Sequence, residues 1–276
     1  MEYVEFGRTG LHVSRLAFGT GTAGWGGRSE QTDLGIEGLA NLLREAYDRG
    51  INFWDAADAY GSHPHVARAL QGMPRHEVVI ATKTTSRDAA HVTQDVERFL
   101  SELGTDVLDV VLLHFMTQAD WPQRYAGAME ALTQAKEQGK VRAVGVSCHG
   151  LGPLRAAAEA AWPDVVLARI NPAGVNMDGR PAEVVPILQQ LYAAGKAVYG
   201  MKVLGCGQLV SKARAAMQYV LELGVVHSIV VGTSRRQHLL ENIALIEELA
   251  PHCLLRAPSA PSRQAEGRSS TPTRER

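Results

Sequence analysis

Asp55, Tyr60, Lys83 and His114 are side chains that could share one proton transfer, and three of them close an apolar run. Asp55 ends INFWD, Lys83 ends VVIATK and His114 ends VLDVVLLH, while Tyr60 follows Asp55 by five residues. A lysine at the end of a buried strand is costly unless a carboxylate neutralises it, and Asp55 is the natural partner. A cation held in that way is expected to lower the pKa of a neighbouring phenol from about 10. Tyr60 then becomes a general acid. An imidazole bonded to the same oxygen helps polarise a carbonyl for attack at carbon, and hydride from a nicotinamide meets that demand.

These residues can meet only if their runs are neighbouring strands. Short β-branched runs recur at 14–20, 51–55, 78–83, 107–114, 141–147, 164–171, 197–203 and 227–233, with amphipathic stretches between them that mostly close on glycine. This alternation at roughly thirty-residue spacing predicts an α/β fold, a (β/α)8 TIM barrel, whose chemistry sits at the carboxyl ends of the strands. A doubly wound sheet is the competing architecture, but no G-x-G-x-x-G opens a helix after the first strand. Ahead of the barrel, YVEFGRTGLHV reads as an N-terminal β-hairpin plugging the bottom. The barrel is expected over residues 1–255 as a single domain. Residues 256–276, rich in Ser, Pro and Arg, are expected to form a disordered C-terminal tail.

The segments FGRTGLHVSRLAFGT, DAADAYG, ATK, LLH, VRAVGVS and LLENI, in this order, resemble the aldo-keto reductases from about residue 3 to 249. The resemblance implies an NAD(P)H-dependent carbonyl reductase or alcohol dehydrogenase. Its catalytic residues would be Asp55, Tyr60, Lys83 and His114, with Tyr60 the proton donor, Asp55 and Lys83 tuning it, and His114 orienting the carbonyl. The implied cofactor contacts are Gly19 and Thr20 after the first strand, Ser147, Asn171, Met201 and Lys202 at later strand ends, and Ser234, Arg235, Glu241 and Asn242 around the last helix. Two positions depart from the family pattern. His149 follows Cys148 where the family often has an amide after the serine, and Met201 stands where an aromatic ring commonly covers the nicotinamide. The lysine and arginine that many members aim at a 2′-phosphate align with Gly232 and His238, while Arg235 and Arg236 lie close by. The pattern leans to NADP(H) over NAD(H).

Trp25 and Trp121 occupy loops on the catalytic face and are expected to line a substrate pocket. Trp54 should point the other way from Asp55, towards the helices. Asp58 lacks an assignable partner and reads as a solvated loop residue, while Cys148 and Cys206 read as small buried residues. With a net charge of -1 and no basic cluster in its first 250 residues, the chain is not expected to bind nucleic acid. Three unpaired cysteines fit a reducing, cytoplasmic setting, and no apolar window is long enough to span a membrane. The partner expected is a small-molecule carbonyl. Two other readings use the same barrel: a metal-dependent hydrolase built from Asp55, His63, His65, His114 and His149, or a cofactor-binding sensor with little turnover.

Overall fold

The computed structural model describes residues 1–255, so the predicted tail lies outside the described residues. Strands β1 (Tyr3–Glu5) and β2 (His12–Ser14) pair antiparallel as the expected hairpin. The barrel begins with β3 (Leu16–Gly19), α1 (Gly35–Asp48), β4 (Phe53–Asp55), α2 (His63–Leu70), β5 (Val79–Thr84) and α3 (Ala89–Leu103). It continues through β6 (Leu108–Met116), a short α4 (Trp121–Arg124), α5 (Ala126–Glu137), β7 (Val141–Cys148), α6 (Leu151–Glu159) and β8 (Val165–Arg169). The last repeats are α7 (Pro181–Ala193), β9 (Ala197–Met201), α8 (Ala213–Glu222), β10 (Ser228–Gly232) and α9 (Arg236–Leu249). Parallel pairing of β10 with β3 closes the eight-stranded barrel, so all eight predicted strands are present.

Period-2 alternation divides the barrel residues between two cores. Phe53, Ala81, Leu112, Leu167 and Tyr199 point into the barrel. Trp54, Ile80, Val111, Val166 and Val198 point outwards to meet helix residues such as Leu43, Phe99 and Leu188. Trp54 therefore packs as its spacing predicts. Hairpin residues Phe6, Leu11 and Val13 join the inner core, with the Phe6 ring 5.2 Å from Phe53 and 5.9 Å from Tyr199. Full burial of such side chains is worth about 1.5–3 kcal/mol each, so the floor of the barrel is a strong contributor to stability. Among the described residues no helix is long and apolar enough to cross a membrane.

Two local departures shape the upper rim. The β6–β7 register shifts between Leu113 and Met116, and Phe115 adopts a left-handed φ of 63°. This bulge extends β6 two residues beyond its predicted end and leaves Phe115 exposed above the inward-facing His114. Its amide N–H is nevertheless satisfied, donating to Ser147 Oγ at 3.1 Å.

Candidate active site

Asp55 and Lys83 point inwards from adjacent strands, and both are buried. Lys83 Nζ lies 2.8 Å from the Asp55 carboxylate and donates to the Ala56 carbonyl at 2.7 Å. Tyr199, on the far wall in β9, donates its hydroxyl to Asp55 Oδ2 at 2.9 Å. Sequence reasoning missed this contact. Its signal was the inward phase of Tyr199 along AVYGM, but the partner lies 144 residues away. The Asp55 backbone is braced from outside the barrel by Thr20, whose hydroxyl donates to the Asp55 carbonyl at 2.9 Å and bonds Ser62 Oγ at 2.9 Å.

Tyr60 ends a 3-10 turn, Asp58–Tyr60, that lifts the phenol over this ion pair. The Lys83 ammonium lies 4.8 Å from the Tyr60 ring centre, and the Tyr60 hydroxyl is 3.4 Å from His114 Nε2. The ring fits because its neighbours lack side chains: a Cβ on Gly21 would lie 2.2 Å from Tyr60 Cε2, and one on Gly24 would lie 2.6 Å from Cδ1. The glycines after the first strand thus make room for the phenol.

The electrostatics correct one expectation. Burial, and secondarily the charge of Asp55, pushes the Tyr60 phenol up rather than down. Asp55 neutralises Lys83 at close range, so the pair offers the phenol little net positive field. Part of Tyr60 stays open to the cleft, where solvent tempers the upward push. Burial lowers the Lys83 pKa, with Asp55 opposing. His114 is lowered to about 2, chiefly by burial and then by Lys83, and is neutral across the physiological range. Its Nδ1 is buried with no hydrogen-bond partner among the described residues, so the protein does not fix its tautomer. Nε2 is therefore free either to donate to a carbonyl oxygen or to accept from Tyr60. From the β5–α3 loop, Arg87 donates to the His114 carbonyl at 2.5 Å and anchors the end of β6.

A cleft of about 300 Å³ runs from Asp55 and Tyr60 past Gly19, Met201 and Lys202 to Val231 and Gly232. Its lining mixes apolar side chains such as Leu167, Met201 and Val230 with Asp55, Tyr60 and Glu30, and the Lys202 ammonium makes no hydrogen bond or ion pair among the described residues. Arg235, at the start of α9, is likewise exposed with its guanidinium uncommitted. Of these two cations Lys202 lines the cleft and is free to meet an anionic group, whereas Arg235 lies outside the lining. Arg236, by contrast, is taken up by Glu45 at 2.6 Å. Ser147 is buried and accepts from Phe115. Asn171 is also buried, and its amide is spent on the backbone of its own loop and on the Lys202 carbonyl. Ser234 is half-buried beside Arg235, while Glu241 and Asn242 lie further along α9 and do not line the cleft.

The two tryptophans part company. Trp25 is exposed at the rim, 6.1 Å from His114 and 5.7 Å from Phe115 between ring centres. Trp121 is not a pocket residue. It begins α4, is fully buried against Trp162, and donates its indole N–H to the Pro153 carbonyl at 3.2 Å. The proline after it starts a helix that turns the ring into the core. Cys148 is buried as expected, whereas Cys206 is exposed at the cleft with a φ of 54°. His149 sits beside Phe115, 4.3 Å between ring centres, and burial lowers its pKa to about 3.

Among the described residues the metal-hydrolase set does not come together as one ligand cluster, although His114 and His149 lie 6.2 Å apart between ring centres. His63 faces the helix layer, with Nδ1 2.6 Å from Glu102 and Nε2 2.7 Å from Thr82 Oγ1, so both ring nitrogens are committed. Potential ligand atoms of Asp58, His63 and Glu102 do lie within 4.8 Å of one another. Arg98 already bonds both carboxylates there, at 2.7 and 2.9 Å.

Comparison with known proteins identifies the family. The model of the Aldo/keto reductase family matches residues 15–214. The chain is 33% identical over 167 residues to aldo-keto reductase YhdN of Bacillus subtilis, an alignment spanning 53% of this chain and 47% of that relative. It is 25% identical over 293 residues to L-galactose dehydrogenase of Arabidopsis thaliana, covering 90% of this chain and 89% of the relative. A solved Pseudomonas aeruginosa structure assigned to the aldo-keto reductases superposes with a TM-score of 0.76 at 28% identity, covering 90% of this chain and 95% of that one. The aligned regions thus span less than half the length of the first such relatives, which the chain matches over 47% and 41% of their residues.

Proposed function

The chain belongs to the aldo/keto reductase family, and on that premise we propose that it interconverts a small-molecule carbonyl (an aldehyde, ketone or sugar-like compound) and its alcohol, using a nicotinamide cofactor held in the Gly19–Lys202–Gly232 cleft. The observation that carries this reading is the Tyr60 hydroxyl, 3.4 Å from His114 Nε2 and poised over a buried Lys83–Asp55 pair at the cleft. A carbonyl oxygen between phenol and imidazole receives two hydrogen bonds, and both strengthen as negative charge develops on it. A nicotinamide bound in this cleft would supply the hydride that the carbonyl carbon receives.

Tyr60 then gives up its proton. Because burial keeps the phenol protonated, the donor is fully charged with its proton at neutral pH, and transfer is driven by the growing charge on the substrate oxygen. Lys83, 4.8 Å from the Tyr60 ring centre, faces the phenolate left behind with most of its charge balanced by Asp55, which Tyr199 in turn holds in place. Trp25 and Phe115, both exposed at the rim, offer flat apolar surface to the remainder of the substrate. Free Lys202 and Arg235 favour NADP(H) over NAD(H), and a cytoplasmic setting suits the unpaired cysteines.

The test is quenching of tryptophan fluorescence on titration with NADPH and, separately, NADH, followed by turnover of a carbonyl panel. Wild-type protein should bind at least one dinucleotide below millimolar concentration. Tyr60→Phe should bind it equally well yet lose roughly 10²- to 10⁴-fold in kcat, the usual contribution of a positioned general acid. Failure of both dinucleotides to bind would sink the proposal.

A further inference from the structure

Asp58 reads in the sequence as a solvated residue without a partner, but its carboxylate accepts from Arg98 Nη1 at 2.7 Å. Arg98 lies on α3, and the same guanidinium donates to Glu102 Oε1 at 2.9 Å and to Asp95 Oδ1 at 2.7 Å. From those two carboxylates the network turns inwards. Asp95 accepts from the hydroxyls of Thr84 and Ser86. Glu102 accepts a hydrogen bond from His63 Nδ1–H at 2.6 Å, because a carboxylate can only accept. His63 Nε2 is then the acceptor for the Thr82 hydroxyl, at 2.7 Å.

Thr82 and Thr84 flank Lys83, and strand alternation points them outwards while Lys83 points in. The network therefore grips β5 on both sides of the lysine from the helix layer. Its other end, Asp58, opens the turn that finishes with Tyr60. One guanidinium joins the turn that carries the phenol to the strand that carries the ammonium. Arg98 itself is 41% exposed, and exposed ion pairs contribute little to folding, so removing it should leave the fold standing while loosening that link.

We propose that Arg98, with Asp58, Asp95, Glu102 and His63, is a positioning network that holds the Tyr60 turn in register with Lys83 and thereby sets the rate of proton donation. The proposal rests on Tyr60 being the proton donor. None of these five side chains touches the reacting atoms. They act through the backbone of Tyr60 and Lys83.

The experiment compares Arg98→Met, Asp58→Asn and the double variant with wild type on a carbonyl that wild type reduces. Each single variant should lower kcat roughly 10- to 100-fold, the cost of a small misplacement in a catalytic constellation. The cofactor Kd from fluorescence quenching should be unchanged. The double variant should be no slower than the slower single one, since both break the same link, and Arg98→Lys should recover part of the rate. Arg75→Met is the control: it removes a guanidinium that ties Val78, Val107 and Asp109 at the opposite end of β5, and should leave kcat near wild type. Losses in Arg98→Met and Asp58→Asn equal to that of Arg75→Met, after correction for folded fraction, would overturn the proposal, as would additive losses in the double variant. If wild type binds cofactor but reduces no carbonyl, the Tyr60 reading itself fails, a result distinct from equal rates in wild type and variants.

Discussion

Asp55→Asn should expose how much of this site's stability is a single ion pair. Lys83 is fully buried, and without the carboxylate its ammonium keeps only neutral acceptors, the Ala56 carbonyl at 2.7 Å and the new amide oxygen. Breaking a buried pair in this way typically costs about 3–5 kcal/mol. The lysine sets its own ceiling, because it can discharge instead. From an unfolded pKa of about 10.4, deprotonation at pH 7 costs roughly 3.4 units at 1.36 kcal/mol each, or about 4.6 kcal/mol. That ceiling falls to about 1.9 kcal/mol at pH 9, since the unfolded lysine still binds a proton that the folded variant refuses, and stability then rises with pH. Urea unfolding of wild type and Asp55→Asn at pH 7 and pH 9 measures both values. The deficit should be several kcal/mol at pH 7 and clearly smaller at pH 9. Asp55→Asn/Lys83→Met should recover most of the stability, because no uncompensated charge remains, but no turnover. A deficit under about 1 kcal/mol at pH 7, or one that does not change with pH, would refute the buried-pair argument.

Gly21→Ala should leave the barrel folded but push its new methyl against the Tyr60 ring, which a Cβ would meet at 2.2 Å, lowering kcat at saturating cofactor by up to about 100-fold. Trp121→Ala should cost about 3–5 kcal/mol of stability without altering KM in the folded fraction, because its ring is core. Trp25→Ala should do the reverse, staying within about 0.5 kcal/mol of wild type while raising KM. Acid should destabilise the fold through His227, whose pKa burial lowers to about 4. The unfolded imidazole takes its proton near pH 6.5 and the folded one refuses it until about 4, so roughly 3 kcal/mol disappears as pH falls across that window. His114 and His149, lowered further, contribute over the same window, so His227→Gln should reduce the slope of the stability–pH curve there without abolishing it, and an unchanged slope would count against the assignment.

The barrel was readable because each strand is a short β-branched run whose inward and outward residues alternate. The convergence of Asp55, Tyr60, Lys83 and His114 was readable because three of them end such runs. What escaped depended on distance or on backbone detail. Tyr199 looks like an ordinary strand residue until closure brings it under Asp55. Asp58 finds Arg98 forty residues later, on a helix face whose neighbours the sequence does not reveal. The end of β6 moved because a bulge places Phe115 at positive φ, a conformation that phenylalanine does not announce. Trp121 misled because FMTQADWPQRY reads as a polar loop, although the proline after the tryptophan was a legible sign of a helix start. The direction of the Tyr60 shift failed because sequence shows which charges are near but not how deeply each is buried.

The loop that cradles Tyr60 has two kinds of position with different freedom to change. Gly21 and Gly24 touch the phenol and admit no side chain, whereas the side chains of Trp25 and Arg28 face solvent; between them Gly26 and Gly27 hold φ of 65° and 81°, and the Gly27 N–H donates to the Ala59 carbonyl at 2.9 Å, next to Tyr60. Substitutions at Trp25 and Arg28 meet an incoming molecule without disturbing the acid, so these two positions can be rewritten for a new substrate while the proton donor stays where it is. A library confined to residues 25 and 28 samples selectivity at little risk to the chemistry; one that includes Gly21, Gly24 or the positive-φ pair Gly26 and Gly27 spends most of its members on broken sites.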